Sequence, residues 1–414
     1  GPRKEQCILV GNAVPPLLAA YIAKSVQEHI DNRNSINYSK DLYIKQNQQL
    51  ELFKLEKQKR TKKNNLSFVD LFSGAGGIGI GFEQAGYNHV FSADFNKSVS
   101  KTFKHNNPNI PFIDGDISDK NIFNKIREEF SHKEVDVVVG GPPCQGFSIF
   151  GKRRFVKSKN YNPQSDDRNK LIFTYLDYIK LFNPKWFLME NVPGITTLDE
   201  GYFLNSLIKK IEKMGYTNHD YKIINTADYG VPQKRKRFIL IANRTGNIIP
   251  WPKPKYYEAP EDWQKPYRSV GEVLTDLDSE ISYTKFYNHT PMKHSPSVSE
   301  RFSYIREGNK LNPADLPEHL KYSKMGNEIR SFSKVFFRLD RNQASCTLVP
   351  GHSAFPIHPW LDRQLTVREA ARIQTFPDSV EFLGSNGEQC KQVGNAFPPM
   401  AAEVFANAIR KAIV

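Results

Sequence analysis

Apolar residues fall along this chain in two rhythms. From residue 66 onward short apolar runs recur: Phe68-Val69-Asp70-Leu71-Phe72, Val90-Phe91-Ser92-Ala93-Asp94, Val137-Val138-Val139, Trp186 to Met189, and Phe238-Ile239-Leu240-Ile241-Ala242. Several are stopped by glycine, proline or an acid, the pattern of strands buried on both faces of a parallel sheet. Helical stretches such as Ile80 to Ala85 alternate with them. The fold expected is α/β, Rossmann-like, with a mostly parallel sheet.

The two ends of the chain share a pattern. Glu-Gln-Cys-x-x-Val-Gly-Asn-Ala-x-Pro-Pro at 5–16 recurs at 388–399, and both copies continue as alanine-rich apolar helices, Leu17 to Ile30 and Met400 to Ile413. Two copies at opposite ends are too few and too distant for a solenoid. Gly1-Pro2 reads as the scar of a cleaved tag. The division expected is an extra end-motif copy over 1–30, a polar and partly helical linker over 31–65, a catalytic domain over 66–243, a variable domain over 244–362 and a returning segment over 363–414.

Composition narrows the class. With 414 residues, 39% of them apolar, the chain can fill a substantial core. No apolar run reaches the ~20 residues of a membrane span, which argues against a membrane partner. Its four cysteines have no metal-ligand spacing and are too sparse for a disulfide framework, and neither are His289, His294, His352 and His358 spaced as a metal site. A cytoplasmic setting and no metal are expected. The formal charge of +14 suggests a polyanionic partner.

Candidate chemistry gathers at the strand ends. Gly140-Gly141-Pro142-Pro143 stops the valine run and presents Cys144 on a stiff loop, where a thiol is placed to act as a nucleophile. The turn Ser73-Gly74-Ala75-Gly76-Gly77-Ile78-Gly79 follows the first strand, and Asp94 ends the second about twenty residues on, where a ribose hydroxyl would be held. Asp114-Gly115-Asp116-Ile117 ends another segment likewise. An adenosine ligand along this edge fits three such ends.

These residues, in this order, resemble the DNA (cytosine-5) methyltransferases of bacterial restriction-modification systems. The resemblance rests on Asp70 to Gly77, Gly141-Pro142-Pro143-Cys144-Gln145, Glu190-Asn191-Val192, Gln233-Lys234-Arg235-Lys236-Arg237, Arg368 to Gln374 with Phe376-Pro377, and Gly394-Asn395-Ala396 with Pro398-Pro399. It covers residues 66 to 414 apart from about 244–362, and it implies a class I fold that uses S-adenosylmethionine, releases S-adenosylhomocysteine and acts on double-stranded DNA. Catalysis would fall to Cys144, adding to cytosine carbon 6, and to Glu190 near ring N3, protonated or sharing a proton with the base. Arg237 would face the exocyclic oxygen, and Arg235 would support the site or a nearby phosphate.

The implied cofactor pocket comprises Phe72, Gly74, Gly76, Asp94, Phe95, Asp116, Ile117, Pro143, Leu171, Asn395 and Ala396, with Asp94 standing where many relatives carry glutamate. The segment 244–362, where basic and aromatic residues such as Trp263, Arg301 and Arg338 interleave, would read the flipped-out target's sequence. A bacterial, nucleoid-associated role follows by analogy. In the family the last motif folds beside the first, so one copy completes the pocket, and the C-terminal copy is favoured because it follows the penultimate motif after a short connection. The other could be the tail of a second methyltransferase, fused upstream or separate, could dock on another molecule, or could stand in for the C-terminal copy. An RNA cytosine-5 methyltransferase and a non-catalytic DNA-binding subunit are the alternative functions.

Overall fold

A sheet of seven strands organises the protein: β1 (Ser67–Leu71), β2 (Asn88–Asp94), β3 (Phe112–Asp114), β4 (Val137–Gly140), β5 (Trp186–Asn191), β6 (Asn218–Asn225) and β7 (Lys236–Asn243). The computed structural model describes residues 66–143, 167–279, 281–321, 336–351 and 355–414. The N-terminal motif copy, the polar linker and Cys144 therefore lie outside the described residues. Residues Asn64–Val414 form one compact unit.

Strand order is 3-2-1-4-5-7-6, and only β7 runs against its neighbours. The order reverses between β1 and β4, so a ligand crevice is expected outside the carboxyl ends of these strands. β1 and β4 are buried throughout, as their apolar runs require. The α/β expectation holds, while the half-exposed edge strand β6 was not foreseen.

Alternate side chains fill alternate faces. On one face Val69, Leu71, Val138, Phe187 and Leu240 pack with Tyr175, Tyr178 and Ile179 of a helix over Asp167–Phe182 and with Leu207 and Ile211 of another over Tyr202–Lys213. On the other, Phe68, Val137, Val139, Leu188 and Ile241 pack with Phe82 of α1 (Gly77–Gln84) and with Phe405, Ala406 and Ile409 of the terminal helix Pro399–Ile413. Fully burying Phe405 and Ile409 contributes about 1.5–3 kcal/mol each.

The C-terminal copy of the repeated motif is packed against α1. A Cβ on Gly77 would lie 2.1 Å from the Phe397 carbonyl oxygen, and one on Gly81 would lie 2.5 Å from both Ala402 Cβ and the Pro399 oxygen. Tyr87 donates to the Ala406 carbonyl at 3.1 Å. The terminal helix starts at two prolines and lacks a side-chain cap of its own. Thr375 supplies one, its Oγ1 accepting from the Met400 N–H at 3.1 Å, and it does so at φ 64, a strained conformation for a β-branched residue.

A third core joins Val270, Leu274, Leu339 and Leu348 with Leu365, Val367, Ala370, Val393 and Ala396. Residues 365–396 thus share their core with the 270–348 region, and only the terminal helix lies on the sheet.

Candidate active site

The turn after β1 begins with a cost. Phe72 has φ 56 without being glycine, and Gly74 and Gly76 follow at 53 and 82. A left-handed non-glycine residue costs roughly 1–2 kcal/mol, so the surroundings must hold it. Ser73 N–H donates to the Ala93 carbonyl at 3.1 Å, and Gly74 N–H to Asp94 Oδ2 at 2.9 Å. Helix α1 starts from Gly76, which has no side chain to cap it. Asp70, wholly buried in β1, does so from across the turn, its Oδ2 accepting from Gly79 N–H at 3.1 Å.

Asp94 also accepts from Asn96 N–H, at 2.9 Å through Oδ1. Each oxygen then keeps acceptor capacity for a hydroxyl donor. Burial raises the Asp94 pKa, and its backbone hydrogen bonds oppose the rise. Phe95, next in the chain, is 63% exposed, an unusual position for a large ring at a strand end. Asp116 is exposed and its Oδ1 accepts from Ser118 N–H at 2.9 Å. Ile117 is buried, with its carbonyl held by Tyr178 Oη at 2.9 Å. Phe72, Pro143 and Leu171 are half-buried, Asn395 is exposed and Ala396 is buried.

The second half of the crevice is built on β4 and β5. A Cβ on Gly140 would meet the Leu71 carbonyl oxygen at 2.4 Å, and one on Gly141 would meet Glu190 Oε2 at 2.9 Å. The loop that leads to Cys144 therefore lies directly on the Glu190 carboxylate. Asn191, 3% exposed, turns its side chain back to donate from Nδ2 to the Pro142 carbonyl at 3.2 Å, while its Oδ1 accepts from Val192 N–H at 2.8 Å. Tyr175 Oη contacts the Val138 and Leu188 carbonyls at 3.1 and 2.9 Å, tying β4 to β5. Sequence reasoning assigned no such work to Asn191, Tyr175 or Asp70.

Because β7 is reversed, its entering end lies beside the leaving end of β5. Arg237 Nε approaches Glu190 Oε1 at 2.8 Å, with both side chains mostly enclosed. Burial raises the Glu190 pKa, while Arg237 and then Arg235 pull it down. Arg235 is only 1% exposed and points elsewhere: Nη1 donates to the Leu348 carbonyl at 3.3 Å, and Nη2 to the Gly394 and Asn395 carbonyls at 2.9 and 3.2 Å. So enclosed, it is a brace and has no surface to offer a phosphate. Gln233 beside it is fully buried, accepting from Leu348 N–H at 3.3 Å.

Two basic residues of the variable region are also turned inward. Arg338 donates to the Ile305, Phe302 and His358 carbonyls at 2.6, 2.7 and 3.0 Å, and Arg301 to that of Leu320 at 2.8 Å, so both are packing residues. Trp263, by contrast, is 76% exposed. Among the described residues no three His, Cys, Asp or Glu side chains gather in a metal-holding group, and no helix is long and apolar enough to cross a membrane.

Comparison with known proteins adds the context. The family described as C-5 cytosine-specific DNA methylase matches residues 66–411. The Type II methyltransferase M1.HphI of Haemophilus parahaemolyticus is 34% identical over 84% of this chain and 87% of its own, and M.PspPI of a Psychrobacter species is 36% identical over 83% and 78%. Among solved structures, an Escherichia coli prophage-encoded protein described as a DNA modification methyltransferase is similar in fold, with a TM-score of 0.59 and 24% identity over 84% of this chain and 99% of that one.

Proposed function

The chain belongs to the C-5 cytosine-specific DNA methylases, which methylate cytosine carbon 5 in DNA from S-adenosylmethionine, and we propose that it does so through a Cys144 adduct completed by Glu190 and Arg237. The observation that carries this reading is the Glu190–Arg237 pair at 2.8 Å, lying against the Gly141 backbone three residues before Cys144.

Carbon 5 of cytosine is a poor nucleophile. A thiolate from Cys144 adds to carbon 6, forming a C–S bond and moving electron density through carbon 5 and N3. Glu190, whose pKa is raised by burial, can carry a proton to N3 and so relieve the charge. Arg237 is near enough to Glu190 to hold the carboxyl in place and to meet the base's exocyclic oxygen. When bound, S-adenosylmethionine supplies an electrophilic methyl group for carbon 5. After release of S-adenosylhomocysteine, loss of the carbon 5 proton, return of the N3 proton to Glu190 and departure of the thiolate restore the aromatic ring.

The residues around β1, β2 and β3 fit such a cofactor. Asp94 retains acceptor capacity for ribose hydroxyls, and the exposed Phe95 ring offers a stacking surface for adenine. Asp116, with Oδ1 already engaged by Ser118, suits the adenine amino group through its other oxygen.

The test is transfer of a labelled methyl group to unmethylated duplex DNA, with single-base mapping of 5-methylcytosine. The wild type is expected to mark one short sequence context, and Cys144→Ala to bind the same DNA with no turnover. Turnover by Cys144→Ala at the wild-type rate would sink the adduct mechanism. Methylation of RNA in preference to duplex DNA would overturn the choice of substrate.

A further inference from the structure

We infer that Arg235 is a positioning residue that sets the cofactor side of the crevice relative to the base side. The inference rests on the S-adenosylmethionine reading above.

Three observations carry it. First, Arg235 immediately precedes β7, the strand that pairs with β5 and carries Arg237 to Glu190. Its own backbone N–H donates to Asn225 Oδ1 at 3.0 Å, which ties down the stretch from behind. Second, its Nη1 and Nη2 donate to carbonyls of two segments distant in sequence, Leu348 on one side and Gly394 with Asn395 on the other, while Nε is buried without a partner. Asn395 and Ala396 are cofactor candidates.

Third, there is no slack in this joint. A Cβ on Gly394 would come within 2.7 Å of Pro350 Cα and N, so the two segments touch backbone to backbone where Arg235 grips them. Gln374 holds the preceding residue, donating to the Val393 carbonyl at 3.0 Å, and is itself fully buried. A planar guanidinium matches several carbonyls in a fixed fork, which a lysine ammonium cannot reproduce. Losing the fork would let 394–396 drift from the Glu190–Arg237 pair, and a misplacement of about 1 Å can cost on the order of a hundredfold in rate.

The experiment measures S-adenosylmethionine affinity by calorimetry without DNA, and the salt dependence of DNA binding, on full-length wild type, Arg235→Met, Arg235→Lys and Gln374→Met. Thermal melts establish which variants fold. Arg235→Met is expected to weaken cofactor binding by about tenfold or more, with no rescue by lysine and a smaller shift in the same direction for Gln374→Met. The slope of log affinity against log salt should match wild type.

Unchanged cofactor affinity in a folded Arg235 variant would overturn the inference, as would a slope shallower by about one, the mark of a lost phosphate contact. Should Arg235→Met not fold, Gln374→Met decides: weakened cofactor binding supports the joint, and unchanged binding refutes it. A wild type that binds no S-adenosylmethionine would instead remove the functional reading on which the inference rests.

Discussion

A carboxyl group in this fold can be used for its charge or for its shape, and Asp70 and Glu190 divide those uses. Asp70 is wholly buried, gives one oxygen to the Gly79 N–H and leaves Oδ1 without a partner, so burial raises its pKa well above the ordinary 3.8. The folded state then holds a proton that the unfolded chain has released. Its contribution to stability is full below 3.8 and is lost as pH rises through the folded value. Urea midpoints of wild type should fall as pH rises above 3.8, and Asp70→Asn should show a shallower fall. An identical fall in both would mean that Asp70 is charged when folded. Glu190 has an arginine beside it. Glu190→Gln should slow single-turnover methyl transfer by roughly 10²–10⁴. The wild-type rate should decline as pH rises past the elevated pKa, and the variant's should not. Cys144, Glu190 and Arg237 were legible in the sequence because each adjoins an apolar run that reads as a strand, after Val137 to Val139, after Trp186 to Met189 and before Phe238 to Ala242. The roles of Asp70 and Asn191 were not, since each depends on a backbone group that only the folded chain brings near.

Between elements, α1 packs closely on the terminal helix, where Gly81 leaves no room for a methyl group beside Ala402. Gly81→Ala should destabilise by about 1–3 kcal/mol through overpacking, read as a lower urea midpoint. No change would mean that the helices part easily. The repeated motif showed in the sequence that such a helix existed. That its C-terminal copy lies on α1 follows from the glycine face and could not be read from periodicity. Central strands were plain from their unbroken apolar runs, whereas β6, Asn-His-Asp-Tyr-Lys-Ile-Ile-Asn, has one wet edge and an irregular pattern. The third core escaped detection for a different reason. It is assembled from segments far apart in sequence, and the short helices within it, such as Gly271–Leu274, are too brief to carry a period.

Across the whole described unit, two faces of one sheet and a third core meet around a crevice fed by the leaving ends of the parallel strands and by the entering end of β7. That reversal has a consequence for transplanting the variable region. The chain departs from β7 at Asn243, which pairs with Trp186 at the far end of β5, and comes home at Ser345, whose N–H donates to the Pro232 carbonyl at 2.9 Å. These ports are separated by the length of an eight-residue strand, roughly 25 Å. A loop swapped between relatives needs only matching ends, but this stretch leaves at one end of β7 and returns near the other. A graft that keeps both junctions therefore has to bridge that length, with Leu348 still held by Arg235 just past the returning one.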